Sequence, residues 1–166
     1  MPDTNTRIYE YRKELKKATN FNTQSNTLNK LSKHHCSFVR ECVAENANTS
    51  SDTLKRLSRD DDYWVRSNVA INPNTHMRDL TKLSKDEEPI VRAYAAKNPN
   101  IPVRELVKLS KDELPLVRAA VASNPRTPIK IIHRFIMQDE SPWVIEGVWI
   151  NPNPELSKKY KLRFKI

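Results

Sequence analysis

Leu83 to Pro99 reads LSKDEEPIVRAYAAKNP, and Leu109 to Pro125 reads LSKDELPLVRAAVASNP, a displacement of 26 residues (83 to 109). Self-similarity at that period constrains the fold more than any single residue does, because each copy must bury its apolar face against the next. The valine of the Val-Arg pair recurs at Val39, Val65, Val91 and Val117, and at Val144 after one inserted residue. The closing asparagine recurs at Asn46, Asn72, Asn98, Asn124 and Asn151. A leucine pair recurs at Leu28/Leu31, Leu54/Leu57, Leu80/Leu83 and Leu106/Leu109, with Ile132/Phe135 in the same place of the last copy. Five copies fill residues 20–152.

Within a copy, leucines at i and i+3 give one short helix and the Val-Arg-x-x-Val-Ala stretch gives a second. Asn72-Pro73, Asn98-Pro99 and Asn124-Pro125 end the second helix. Thr127 is placed to cap the next one, with Pro128 at its first position. Asp60, Asp86 and Asp112 are expected to cap the second helices, whose first turns take Pro89, Pro115 and Pro142. Glycine occurs once, at Gly147, so the connections are stiff. The expected fold is all-α: a superhelical solenoid of about five two-helix repeats with capping ends. Residues 1–19 form an amino-terminal capping helix whose Ile8, Tyr11 and Leu15 cover the first repeat. Residues 20–152 form the array, and residues 153–166 a second cap and basic tail in which Tyr160-Lys-Leu-Arg-Phe-Lys-Ile closes the far end. The departures of the fifth copy, Ile145, Gly147 and Trp149, fit a place where no further full repeat docks.

This unit, with its Asp, Val-Arg, Val-Ala, Asn-Pro and paired leucines, resembles the leucine-rich repeat variant family over about four fifths of the chain. The resemblance implies units that alternate an α-helix with a 3₁₀-helix and stack into a right-handed superhelix without strands. The period here is slightly longer than that family's usual unit, which relaxes the alternation towards a HEAT-like pair of α-helices. Some members hold an iron–sulfur cluster in a cysteine-rich amino-terminal segment. Only Cys36 and Cys42 occur here, so no cofactor is carried over.

Surface positions that recur are where a repeat array acts. On a wheel of about 100° per residue, the positions two before, two after and five after the first leucine lie opposite the buried leucine pair. They hold Asn26, Lys30 and Lys33; Asp52, Arg56 and Arg59; Arg78, Lys82 and Lys85; Arg104, Lys108 and Lys111; then Lys130, Arg134 and Met137. All but three are cations, in a chain of net charge +9. With helices packed at about 8–10 Å, five copies would span roughly 40–50 Å, somewhat more than one turn of duplex DNA at about 34 Å. The first expectation is a nucleic-acid or other anion surface made by these twelve cations. The alternative is a protein–protein adaptor that binds an acidic partner on its concave face. A lysine- and arginine-rich helix face that serves only solubility is the plainest reading of the same residues.

The arginines Arg40, Arg66, Arg92 and Arg118 lie next to the buried valine and are read as structural, pairing with the repeating aspartates or with carbonyls of an adjoining turn. No glycine-rich phosphate loop and no serine or cysteine in a nucleophile context is present, so catalysis is not expected. HEAT-like folds include DNA glycosylases, but fold alone is weak warrant for that chemistry. Trp64 and Trp143, at the position of Ile90 and Leu116, are read as core or partly buried. His34, His35, Cys36 and Cys42 have ligand chemistry, yet His34 aligns with Asp60 and Cys42 with Asn68, Tyr94 and Ala120, so no metal is expected. No apolar run approaches the roughly 20 residues of a membrane span, and the start MPDTNTRIYEYRKELKK lacks the apolar core of a secretory signal. A cytoplasmic monomer without a small-molecule substrate is the expectation.

Overall fold

The computed structural model describes residues 4–156; the Tyr160–Ile166 segment assigned to closing the far end lies outside them. The described residues form twelve α-helices and no strand. After α1 (Thr4–Thr19), seven-residue and nine-residue helices alternate: α2 (Ser25–Leu31) with α3 (Ser37–Glu45), α4 (Ser51–Leu57) with α5 (Tyr63–Ile71), α6 (Met77–Leu83) with α7 (Pro89–Lys97), and α8 (Val103–Leu109) with α9 (Pro115–Ser123). A longer α10 (Ile129–Gln138) precedes α11 (Pro142–Ile150), and one turn, α12 (Pro154–Leu156), follows. Both members of every pair are α-helical.

Sequential packing produces the core. The second helices lie directly against one another, α3 on α5, α5 on α7, α7 on α9 and α9 on α11, with α1 against α3 at the start. The recurring valine is fully buried at 39, 65, 91, 117 and 144, and every member of the leucine pairs is buried, Phe135 included. Alanines at 44, 70, 96 and 122 are fully buried between second helices, and small side chains let backbones come close. Gly147 is the extreme case. A Cβ there would meet the carbonyl oxygen of Ala119 at 2.6 Å and the Cβ of Ala122 at 3.0 Å. Its smallness therefore serves a close α9–α11 contact, not a loosened end. Gly147→Ala would gain up to about 1 kcal/mol of helix propensity in isolation, but overpacking costs about 1–3 kcal/mol. Thermal unfolding of Gly147→Ala is expected to show net destabilisation.

Helix ends follow from the Asn-Pro punctuation. A residue before proline is pushed out of the α region, and Asn72, Asn98, Asn124 and Asn151 end their helices with extended backbone, ψ between 122° and 130°. No described residue has a positive φ, so the connections need no glycine. Pro89, Pro115 and Pro142 sit in the first turns of the second helices. Two capping assignments are corrected. Asp60, Asp86 and Asp112 are not the caps: those positions are Asp62, Glu88 and Leu114, and each aspartate instead accepts the backbone N–H two residues on while its oxygens pair with an arginine. Thr127 does not cap α10; Pro128 precedes its first residue, and the Thr127 hydroxyl donates back to Val121 O at 2.6 Å, as Thr75 does to Val69 O. Along α1, Tyr11 and Leu15 pack on the core and Ala18 is fully buried, whereas Ile8 is exposed.

Candidate anion interface and the ladders that hold it

Two hydrogen-bonded ladders fix one helix pair on the next. In the first, the arginine of one pair grips the aspartate at the loop of the following pair. Arg92 Nε and Nη2 donate to the two Asp112 oxygens at 2.8 and 3.2 Å, and its Nη1 donates to Asp86 O and Glu87 O of its own loop, both at 2.9 Å. Arg40 with Asp60, Arg66 with Asp86 and Arg118 with Asp139 repeat the arrangement. A planar guanidinium suits this because it can serve a carboxylate and two carbonyls at once. The hydrogen bond to the aspartate raises each arginine's affinity for its proton, against the opposing effect of burial. Asp139 is held below the usual carboxylate range, first by its hydrogen bond from Arg118. The four arginines that the sequence analysis reads as structural each contact an aspartate and two loop carbonyls in this arrangement. Asp139 was missed as the fourth carboxylate because the inserted residue shifts it out of the 26-residue register, and allowing for that insertion recovers it.

The second ladder is made by the buried asparagines. Asn98 Nδ2 donates to Ala70 O at 2.7 Å and Asn72 O at 2.9 Å, both on the preceding copy, while its Oδ1 accepts from Asn100 N at 2.8 Å. Asn72, Asn124 and Asn151 do the same one copy down or up. Asn46 closes the first rung on Ala18 O and Asn20 O, so the end of α1 fills the place that a second helix fills elsewhere.

Of the twelve cations, Lys30, Arg56, Arg78, Lys82, Arg104, Lys108, Lys130 and Arg134 lie on the first helices, whereas Lys33, Arg59, Lys85 and Lys111 lie in the loops just after them. Lys30, Lys33, Arg56, Arg59, Arg78, Lys82, Lys85, Arg104, Lys108, Lys111 and Lys130 are exposed as the wheel places them. Arg134 is not: it is half-buried, and its Nη2 donates to Ser110 O and Oγ, both at 2.8 Å. Arg56 makes the equivalent bonds to Asn29 and to the Ser32 hydroxyl. The position before the first leucine, not singled out in the sequence, turns inward. There Asp79 and Glu105 are buried, Asp79 beside Lys82 at 3.2 Å and Glu105 between Arg104 at 3.0 Å and Lys108 at 3.2 Å. Ile131 at the same place in the last copy was the available clue. Three cations of the stripe are thus shared with buried carboxylates, though their side chains keep 55–72% exposure. Among the described residues, Lys30, Lys33, Arg59, Arg78, Lys85, Lys111 and Lys130 make no ion pair.

The remaining sequence candidates fall elsewhere. Trp64 and Trp143 are 45% and 64% exposed, so of their reading as core or partly buried the core alternative is corrected. His34 Nε2 lies 3.0 Å from Glu14 Oε2 and its Nδ1 accepts from Cys36 N, tying the first loop to α1. Among the described residues, no group of three or more His, Cys, Asp or Glu is placed to hold a metal ion, and no helix is long and apolar enough to cross a membrane. Comparison with protein-family models, with curated proteins and with solved structures found no match to the chain.

Proposed function

We propose that the chain is a right-handed solenoid of five repeats, similar to the leucine-rich repeat variant class, that works without catalysis and holds a polyanion, nucleic acid first, along its first helices. The observation that supports this reading is the recurrence of exposed cations two residues after the first leucine, at Lys30, Arg56, Lys82 and Lys108, and in the loop after each of those helices, at Lys33, Arg59, Lys85 and Lys111. Like charges at regular spacing repel one another unless an anion lies along them. Asp79 and Glu105 support the same reading: by pairing with the charged groups of Lys82, Arg104 and Lys108 they relieve part of that repulsion, while those side chains keep 55–72% exposure to a polyanion. The adaptor reading, with an acidic partner on the concave face, is less well supported where that partner would lie on the second helices. Asp61, Glu87, Glu113 and Glu140 stand exposed at the entry to those helices and would repel such a partner.

The test changes only cations that make no ion pair among the described residues: Lys33→Glu, Arg59→Glu, Lys85→Glu and Lys111→Glu together. Because no carboxylate loses its partner, thermal unfolding should move little. Affinity for labelled duplex DNA is expected to fall by about 100-fold or more at moderate salt, given that each phosphate contact contributes through counterion release. Unchanged affinity for duplex DNA, single-stranded DNA and RNA would remove the stripe from consideration.

A further inference from the structure

The exposed tryptophans belong to a third ladder. The second position of each second helix is large and apolar: Phe38, Trp64, Ile90, Leu116 and Trp143. Four of the five are 41–64% exposed, and Ile90 is partly so. Side chains at the start of a helix lean back towards its amino terminus, off the turn that follows, which carries these residues away from the buried valine beside them. Isolated exposed apolar residues need no explanation, but an aligned series repeated in every copy marks a contact surface. Tryptophan is also over-represented among residues that dominate binding energy.

A carboxylate accompanies each apolar residue from the second copy on, three positions earlier: Asp61 with Trp64, Glu87 with Ile90, Glu113 with Leu116 and Glu140 with Trp143. All four carboxylate residues are exposed, the Glu87 side chain to 87%. The aspartates next to them are consumed by the arginine ladder; these four are not needed for it, and among the described residues Glu87 alone of the four forms an ion pair, at 3.9 Å from Arg66. Apolar anchors rimmed by unspent negative charge are complementary to a chain that carries apolar and positive side chains together.

We infer that the amino-terminal ends of α3, α5, α7, α9 and α11 dock an extended segment of a partner protein in which large apolar residues recur among lysines and arginines. The spacing agrees with this chemistry. Helices packed at about 8–10 Å put one anchor site under every third residue of a chain in the extended polyproline II form, which advances about 9 Å in three residues and keeps every third side chain on one face. This surface adjoins the cationic stripe at the loops between first and second helices, where Arg59 lines one cleft with Asp61 and Glu87, but its apolar anchors are not part of that stripe.

The experiment measures binding of labelled fifteen-residue peptides to the full chain by fluorescence anisotropy. The three probes are five Leu-Lys-Arg units, five Ser-Lys-Arg units and five Leu-Glu-Gln units. The expected result is binding of the first, with at least tenfold weaker binding of each of the other two. Glu87→Gln with Glu113→Gln, both at exposed positions, should weaken the first peptide about tenfold and flatten its salt dependence. Trp64→Ser with Leu116→Ser should abolish it, with circular dichroism confirming an unchanged helix content. The Lys33, Arg59, Lys85 and Lys111 reversal should leave peptide binding no weaker. Equal binding of the apolar-free basic peptide would overturn the inference, since charge alone would then account for it. Loss of duplex DNA binding in the Trp64/Leu116 variant would also overturn it, by assigning the face to nucleic acid, and so would failure of the first peptide to bind.

Discussion

Replacing Asn98 with alanine is expected to lower the unfolding free energy by about 3 kcal/mol, although the side chain removed is small. The amide group of Asn98 is fully buried and satisfies three backbone groups at once: the carbonyls of Ala70 and Asn72 and the N–H of Asn100. Asn72 O also accepts from Thr75 N at 3.1 Å, so the loss falls mainly on the Ala70 carbonyl and the Asn100 N–H, and a buried polar group left without its partner costs about 1–3 kcal/mol. For a domain of this size, about 3 kcal/mol corresponds to roughly 6–12 °C in melting temperature. Asn98→Asp should be at least as damaging, because a carboxylate has no N–H to give either carbonyl and would be buried among acceptors. Thermal and urea unfolding of both variants checks this. A change within about 0.5 kcal/mol for Asn98→Ala would show that the rung does not hold the copies together. The exposed Asn100→Ala, whose Nδ2 reaches only Pro73 O at the surface, is the matched control with a smaller effect.

The arginine ladder gives the second large effect, and it is dependent on pH. Arg118 donates to both oxygens of Asp139 and to the carbonyls of Asp112 and Glu113, in a site where the two side chains retain only 20% and 9% exposure. Removing one partner from such a pair strands the other, at about 3 kcal/mol for sites of this kind. Arg118→Met should cost more than Asp139→Asn, because it also strands the two loop carbonyls. The double variant should be less unstable than the sum of the singles, with a coupling of about 1–3 kcal/mol. Since the folded protein holds the Asp139 carboxyl below its ordinary range, the folded state binds its proton less tightly than the unfolded chain does. That contribution is complete above the ordinary aspartate value, about 3.9, and fades as pH falls through the lower folded value. Asp139→Asn should therefore be clearly less stable than the parent at pH 7, with the gap closing below about pH 4. A gap of the same size at pH 7 and pH 3 would contradict the ionic account.

What could be read from the residues differs from ladder to ladder for physical reasons. The leucine pairs, the valine and the Asn-Pro stops were legible because burial and helix termination are local properties of a repeating pattern. The arginine–aspartate pairing was legible in kind, since a repeated cation and a repeated anion in one unit have few other uses; that it joins successive copies follows only from a partner 20 residues ahead. The asparagine ladder was not legible. Its partners are backbone carbonyls 26 and 28 residues back, and a carbonyl leaves no mark in the sequence. The exposure of the cations within the first helices, Arg134 excepted, followed from the helical wheel, whereas the shielding by Asp79 and Glu105 did not, because a carboxylate before a buried leucine reads as surface until its burial is known. Trp64 misled for the opposite reason: adjacency to a buried valine suggested the core, while its place in the first turn of α5 directs it outward.

The salt dependence of duplex DNA affinity tests the proposed function most directly. Log–log slopes for a protein that neutralises phosphates run near −0.9 per contact, and the seven stripe cations with neither an ion pair nor a side-chain hydrogen bond among the described residues would together give a slope of about −6. A titration of the unmodified protein from low to moderate salt that returns a slope between about −4 and −8 is the result expected from a polyanion surface along the first helices. A slope near zero, or no binding at the lowest salt, would contradict it.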